Sequence, residues 1–246
     1  MTTNVLDCMA GVLSTDSRWS KTAGDWIAYV EDTDYDKLAY THRVAFLFAG
    51  DLPQIDRWKH WITSGMKKAD RPAQIPNTKL SVIQVDVATK KIIFQSHNFL
   101  SSRFGVLVRA LFAGTGAKPA QECWDVSKCA TKAIESASKK DDLSGGKVVY
   151  FNCNTRVSNV TNTATAQAVE DQFKDRGILM HTANAYMPIL VKDAAKDPSN
   201  NSAYAVATSI MSAASPLTAP FPGMDEPWSL EKMAEFDAAL SLYEED

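Results

Sequence analysis

The chain is predicted to be an α+β protein in which helices are layered on antiparallel sheets. Three observations carry this. Residues 80–87 and 91–95 are strand-like runs on either side of Ala88-Thr89-Lys90, a hairpin pattern. Residues 44–49 form a continuous apolar run of buried-strand length that Gly50-Asp51 stops, and a helical spacing of Ile55, Trp58, Trp61 and Ile62 follows. A Gly-rich turn at Ala113-Gly114-Thr115-Gly116, a long helical pattern, a second glycine turn and the strand-like 148–151 then succeed one another.

Taken in order, residues 4–8 and 11–15 read as short strands around a turn at Met9-Ala10-Gly11, which would hold Thr2 at a sheet edge, with Asp16-Ser17-Arg18 at a strand end. Residues 26–30 and 38–40 are further strand candidates, separated by an acidic turn. Pro53 suits a first helical turn, and the helix should run through Met66 with Trp58 and Trp61 facing the core, before a basic, proline-rich loop. Residues 104–112 are ambiguous between strand and helix on propensity. Ala120, Cys123, Trp124, Val126, Ala130 and Ile134 predict one helix over 117–138, closing on Lys139-Lys140, cations suited to a helix C-terminus. Residues 163–174 and 203–214 are helix candidates, and 216–227 a proline-rich connector. A final helix over 229–243 has Ser229 as N-cap and an apolar stripe of Leu230, Met233, Phe236, Leu240 and Leu242.

With 246 residues, 45% of them hydrophobic, the chain can bury a full core. A net charge of -3 with scattered Lys and Arg leaves no electrostatic footprint for nucleic acid. No apolar run reaches the roughly 18 residues of a membrane span, and no basic region precedes an apolar one at the start, so the expectation is a cytoplasmic protein without membrane contact. Cys8, Cys123, Cys129 and Cys153 form no CxxC pair and are expected to be buried free thiols. The four histidines show no metal-ligand spacing, so neither a metal nor another cofactor is implied.

The chemistry concentrates at the start. If Met1 is removed, Thr2 holds both a hydroxyl and a free α-amine of pKa about 7.7–8.0, nucleophile and base in one residue. Thr2-Thr3, the hairpin to Asp16-Ser17-Arg18, and Thr22-Ala23-Gly24 together resemble the opening of proteasome β subunits and their bacterial relatives, with Trp19-Ser20-Lys21 standing where the family has a single residue. Phe48-Ala49-Gly50-Asp51 resembles the family's Ala-Gly turn after the central strand. The turn at Gly114-Thr115-Gly116 resembles its Gly-Ser-Gly turn, and Asp141-Asp142-Leu143-Ser144-Gly145-Gly146 its Asp-x-x-Ser-Gly-Gly motif, in the same order along the chain.

The resemblance implies the N-terminal-nucleophile hydrolase fold, a four-layer αββα sandwich of two antiparallel sheets between helix layers, its core over 1–155 and a C-terminal continuation with a helical extension over 156–246. It implies a threonine peptidase in which Thr2 is the nucleophile, Lys37 supplies the positive charge beside it, and Asp16 compensates that charge. Lys21 is a rival for the lysine role. By the same resemblance the Gly50 N–H donates to the oxyanion, Thr115, Asp141 and Ser144 hold the α-amine, Thr22 pairs with an extended peptide, and Phe48 lines a side-chain pocket. Peptides or unfolded proteins are the implied substrates, inside a homo-oligomeric ring that an ATPase or other regulator could serve. Two readings stand against this: a non-catalytic structural or assembly subunit that retains Met1, and an amidase acting on a small molecule.

Overall fold

The computed structural model describes residues 2–73, 79–212, 217–219 and 228–245. Its first half runs β1 (Thr3–Asp7), β2 (Val12–Asp16), β3 (Trp19–Ala23), β4 (Trp26–Val30), β5 (Leu38–Tyr40), β6 (Val44–Asp51), α1 (Leu52–Thr63), β7 (Leu80–Asp86), β8 (Ile92–Gln95), β9 (Leu100–Phe104) and β10 (Leu107–Gly114). There follow α2 (Ala117–Ser127), α3 (Ala130–Lys140), β11 (Val148–Asn152), α4 (Ala166–Arg176), β12 (Ile178–His181), β13 (Asn184–Leu190), α5 (Val191–Ala194), α6 (Asn201–Ser212), β14 (Thr218–Ala219) and α7 (Leu230–Ser241).

These strands make two antiparallel sheets. One has the order β11-β2-β1-β10-β9, and the other β13-β12-β4-β3-β14-β6-β7-β8 with β5 beside β6. β1 is therefore a central strand, flanked by β2 and β10 rather than lying at an edge as its position in the chain suggests. The alternation of side chains assigns each face its neighbour. Leu6, Leu13, Leu47, Ile83, Leu111 and Phe151 come from both sheets and bury each other between them. On the far side of the first sheet Val5 and Phe112 meet Trp124, Ile134 and Ala137 of α2 and α3. On the far side of the second, Phe46 and Phe48 meet Ile55, Trp58, Phe173 and Phe236, from α1, α4 and α7. β6 is buried on both faces, which is why its sequence is apolar without alternation.

Several elements depart from the sequence reading. The helix expected over 117–138 is two, because Lys128 takes a left-handed conformation with φ 52° and Cys129 is extended. The Lys128 N–H bonds back to the Trp124 carbonyl and closes α2, and α3 starts in a new direction. Val126, counted in the apolar pattern, is exposed as a result. The ambiguous stretch at 104–112 resolves as the strand β10, and its partner β9 has no signal in Leu100-Ser101-Ser102-Arg103. In α7 the buried face is Phe236, Ala239 and Leu240, while Leu230 and Leu242 lie outside it. That helix covers the β7–β8 edge, with Phe94 and Phe236 ring centres 4.7 Å apart and the Gln84 amide donating to the Ala239 carbonyl. Of the four thiols, all unpaired, only Cys153 is buried; Cys8, Cys123 and Cys129 are half-buried. Residues 216 and 220–227 of the proline-rich connector lie outside the described residues, as do 213–214 of the helix expected at 203–214. No described helix is long and apolar enough to cross a membrane.

α1 also buries a cation. The Lys59 ammonium donates to the Asp36 carbonyl and to Asn162 Oδ1, and lies 3.5 Å from the centre of the Tyr35 ring. Burial pushes its pKa down to about 7. In the unfolded chain the lysine titrates near 10.4, so between about pH 7 and pH 10 the unfolded state binds the proton more tightly and stability rises with pH. Urea unfolding at pH 7 and pH 9.5 checks this: Lys59→Met is expected to lose that part of the rise, and an unchanged slope would contradict it.

Candidate active site

The register of β1 and β2 explains how the site forms. Asn4 stands opposite Thr15, so Thr3 and Asp16 are the next neighbours, and the Thr3 N–H donates to Asp16 Oδ1 at 2.9 Å. The Thr2 hydroxyl donates to the same oxygen. Lys37 precedes β5, its carbonyl held to β6 by the Phe48 N–H, and its ammonium reaches back to Asp16 Oδ1 at 3.0 Å and the Arg18 carbonyl at 2.8 Å. The other carboxylate oxygen accepts the Gly145 N–H at 3.1 Å. Thr2, Asp16 and Lys37 are each 0% exposed. Burial pushes Lys37 below the ordinary lysine value, opposed by the charge and hydrogen bond of Asp16. A buried ion pair of this kind is held by its further hydrogen bonds as much as by its charges.

Thr115, Asp141 and Ser144 form a second group. Asp141 Oδ2 accepts from the Thr115 hydroxyl at 2.6 Å and from the Ser144 hydroxyl at 2.7 Å, and Ser144 Oγ lies 2.6 Å from Thr3 Oγ1. Successive residues of a strand point to opposite faces, so Thr2 turns to Asp16 and Lys37 while Thr3 turns to Ser144. The hydroxyl this group meets is thus that of Thr3, a residue the sequence reading left without a role. The group sits where α3 ends, Asp141 being its C-cap, and its turn is closed by bonds from the Leu143 and Ser144 N–H groups back to Asp141.

Two glycines let the start of the chain lie this close. A Cβ on Gly114, whose φ is +97°, would fall 1.7 Å from the Thr2 carbonyl oxygen, and one on Gly116 would fall 2.2 Å from Thr3 Oγ1. Gly114→Ala is accordingly expected to displace the Thr2 backbone and to destabilise the chain by more than about 1 kcal/mol in urea unfolding, because alanine fits neither the space nor the positive φ. Unchanged stability in Gly114→Ala would show that the start of β1 need not sit where it does.

Gly50 closes β6 with φ +128°, and a Cβ there would run into the Lys79 backbone of the next strand. Asn4 Nδ2 donates to the Phe48 carbonyl at 3.0 Å, tying β1 to β6. The Phe48 side chain, 0% exposed, stacks beside Phe46 in the large core under α1. It lies outside the Thr2–Asp16–Lys37 cluster. Thr22 is exposed and paired with Ile27 near the turn to β4. Lys21 faces Glu170 at 3.7 Å. The additional residues at Trp19-Ser20-Lys21 are absorbed by a β3 that begins directly after Arg18, so the position facing β14, which lies between β3 and β6, belongs to Ser20. Among the described residues no group of three or more His, Cys, Asp or Glu could hold a metal ion.

No family model matches the chain, and no curated protein matches it. Among solved structures, eukaryotic HslV from Trypanosoma brucei is similar at 15% sequence identity over 61% of this chain and 99% of that one, with a TM-score of 0.35.

Proposed function

We propose that the chain is a threonine-type peptidase in which Thr2, freed of Met1, attacks a peptide carbonyl, on a four-layer αββα sandwich of the N-terminal-nucleophile kind. The observation that carries this reading is a single buried carboxylate, Asp16, joining the Thr2 hydroxyl to the Lys37 ammonium. In this reading the α-amine of Thr2 takes the hydroxyl proton through a water and returns it to the leaving amine. The Lys37 charge favours the unprotonated amine and the forming alkoxide. An ammonium has three donors, and Asp16 and Arg18 engage two of them, which leaves one for the alkoxide. The Gly50 N–H stabilises the oxyanion. Thr115, Asp141 and Ser144 act through Thr3, fixing the first residues of β1 and with them the amine.

The backbone of β3 at Ser20 takes the peptide-pairing role that the motif spacing gives to Thr22, and no pocket role is kept for Phe48. Peptides or unfolded proteins are the substrates, and copies of the chain assemble into a ring around them. Intact-mass measurement of the natively expressed protein tests the first requirement. Loss of Met1 is the expected result, and its retention would leave the non-catalytic subunit as the reading. If Met1 is lost, turnover of short fluorogenic peptides separates a peptidase from a small-molecule amidase.

A further inference from the structure

β3 and β6 lie on either side of a gap filled by two residues from far along the chain. Thr218 of β14 pairs with Ser20 of β3, and Thr218 and Ala219 pair with Asp51 and Gly50 of β6, all antiparallel. The strand is held on both sides: the Leu52 N–H donates to the Leu217 carbonyl at 2.9 Å, and the Thr218 hydroxyl to the Ser20 carbonyl at 3.2 Å. The Leu217 N–H donates to Glu170 at 3.1 Å. Leu217 and Ala219 are 0% exposed and join the core beneath the sheet, whereas Thr218 is half-buried. In an antiparallel pair the hydrogen-bonded positions recur every second residue. The Leu52–Leu217 bond therefore makes Gly50 and Ala219 the next such position, and turns the Gly50 N–H toward the Ala219 carbonyl.

We propose that residues 217–219 are an internal occupant of a peptide groove bounded by β3 and β6, and that an extended peptide binds there by displacing them. The groove's backbone is that of Ser20, Gly50 and Leu52, and the side chains it now takes are aliphatic or small at alternate positions, Leu217 and Ala219. The ligand is accordingly an extended peptide with that alternation, its third residue placing a carbonyl before the Gly50 N–H. The inference rests on the peptidase reading for what the groove is for, since a scissile carbonyl needs a donor at that place. The chain is then self-covered at rest: free peptide competes with a tethered strand, and its apparent affinity falls by the fraction of molecules whose groove is open.

The test uses the full chain carrying Thr2→Ala, so that no turnover intervenes, and a fluorescein-labelled peptide Ser-Pro-Leu-Thr-Ala as probe. Leu217→Ala and Thr218→Ala, each added to that chain, weaken the strand's hold without touching Asp16, Lys37 or Gly50. Each is expected to tighten peptide binding, measured by anisotropy, by about tenfold if the closed state is favoured about ten to one. Hydrogen exchange on the chain with 217–219 intact gives the second measurement, since those amides should lose protection as the peptide saturates. Equal or weaker binding in both variants, absence of binding in all three proteins, or full protection of 217–219 at saturation would each overturn the proposal. If native protein lacks Thr2-dependent hydrolysis while the peptide still displaces the strand, the peptidase reading falls and the groove stands. If Thr2-dependent hydrolysis is present while the strand stays protected, the groove falls and the peptidase reading stands.

Discussion

Thr2→Ala is expected to abolish hydrolysis of short fluorogenic peptides, lowering kcat on the order of 10⁶-fold as removal of a nucleophile does elsewhere. Alanine keeps the α-amine and the strand and removes the hydroxyl together with one buried methyl group. Asp16 Oδ1 would still accept from the Thr3 N–H and from Lys37, so the loss of stability should be about 1.5–3 kcal/mol for one hydrogen bond to a charged group, with about 0.8 kcal/mol more for the buried methyl. Activity would thus disappear from a protein that remains folded, a result that damage to the fold does not produce. Thr2→Ser restores the hydroxyl and should restore part of the rate. Activity surviving in Thr2→Ala would refute the nucleophile assignment outright.

Lys37→Met should act on stability and activity together. Removing one member of a fully buried ion pair leaves Asp16 charged and without its cation, a cost of about 3–5 kcal/mol. In a chain of this length that corresponds to a fall in Tm of about 2–4 °C for each kcal/mol. Pairing Lys37→Met with Asp16→Asn removes both charges, and the double variant should regain much of the lost stability. Its hydrolysis should stay absent, because no charge remains beside Thr2 to favour the alkoxide. Calorimetry and peptide turnover on the two variants check this. A double variant that regained activity would show that the pair is architectural and the chemistry lies elsewhere.

What could be read from the sequence was what is local. The apolar run of β6, Pro53 opening α1, the β7–β8 hairpin and the caps Thr165 and Ser229 depend on neighbours in the chain. Thr165 is the exception in having been passed over, though it starts α4 by accepting the Ala168 N–H. The proximity of Thr2, Asp16 and Lys37 followed from ordered motifs, and that of Thr115, Asp141 and Ser144 likewise. The role of Thr3 was hidden because it depends on which face of β1 each threonine takes, and that is fixed by the pairing with β2 and β10. Ser20 was hidden by counting: residues inserted into a motif lengthen a strand at one end, and the motif cannot say which end. β14 left no trace at all. Two residues in a proline-rich stretch are a strand only because β3 and β6 offer both of their edges.

The central place of β1 bears on the order of assembly during synthesis. Thr3 faces Gly114 across the β1–β10 ladder, and Ser144 reaches it from farther along still. β1 can pair with β2 as soon as both are made, but its other flank waits for β10, and closing so long a loop is slow compared with forming a neighbouring hairpin. Until β10 and the turn after α3 have emerged, Thr2 has neither its glycine-lined seat nor the contacts that fix Thr3 beside it. The contacts that place Thr2 and Thr3 are thus among the last that synthesis makes available.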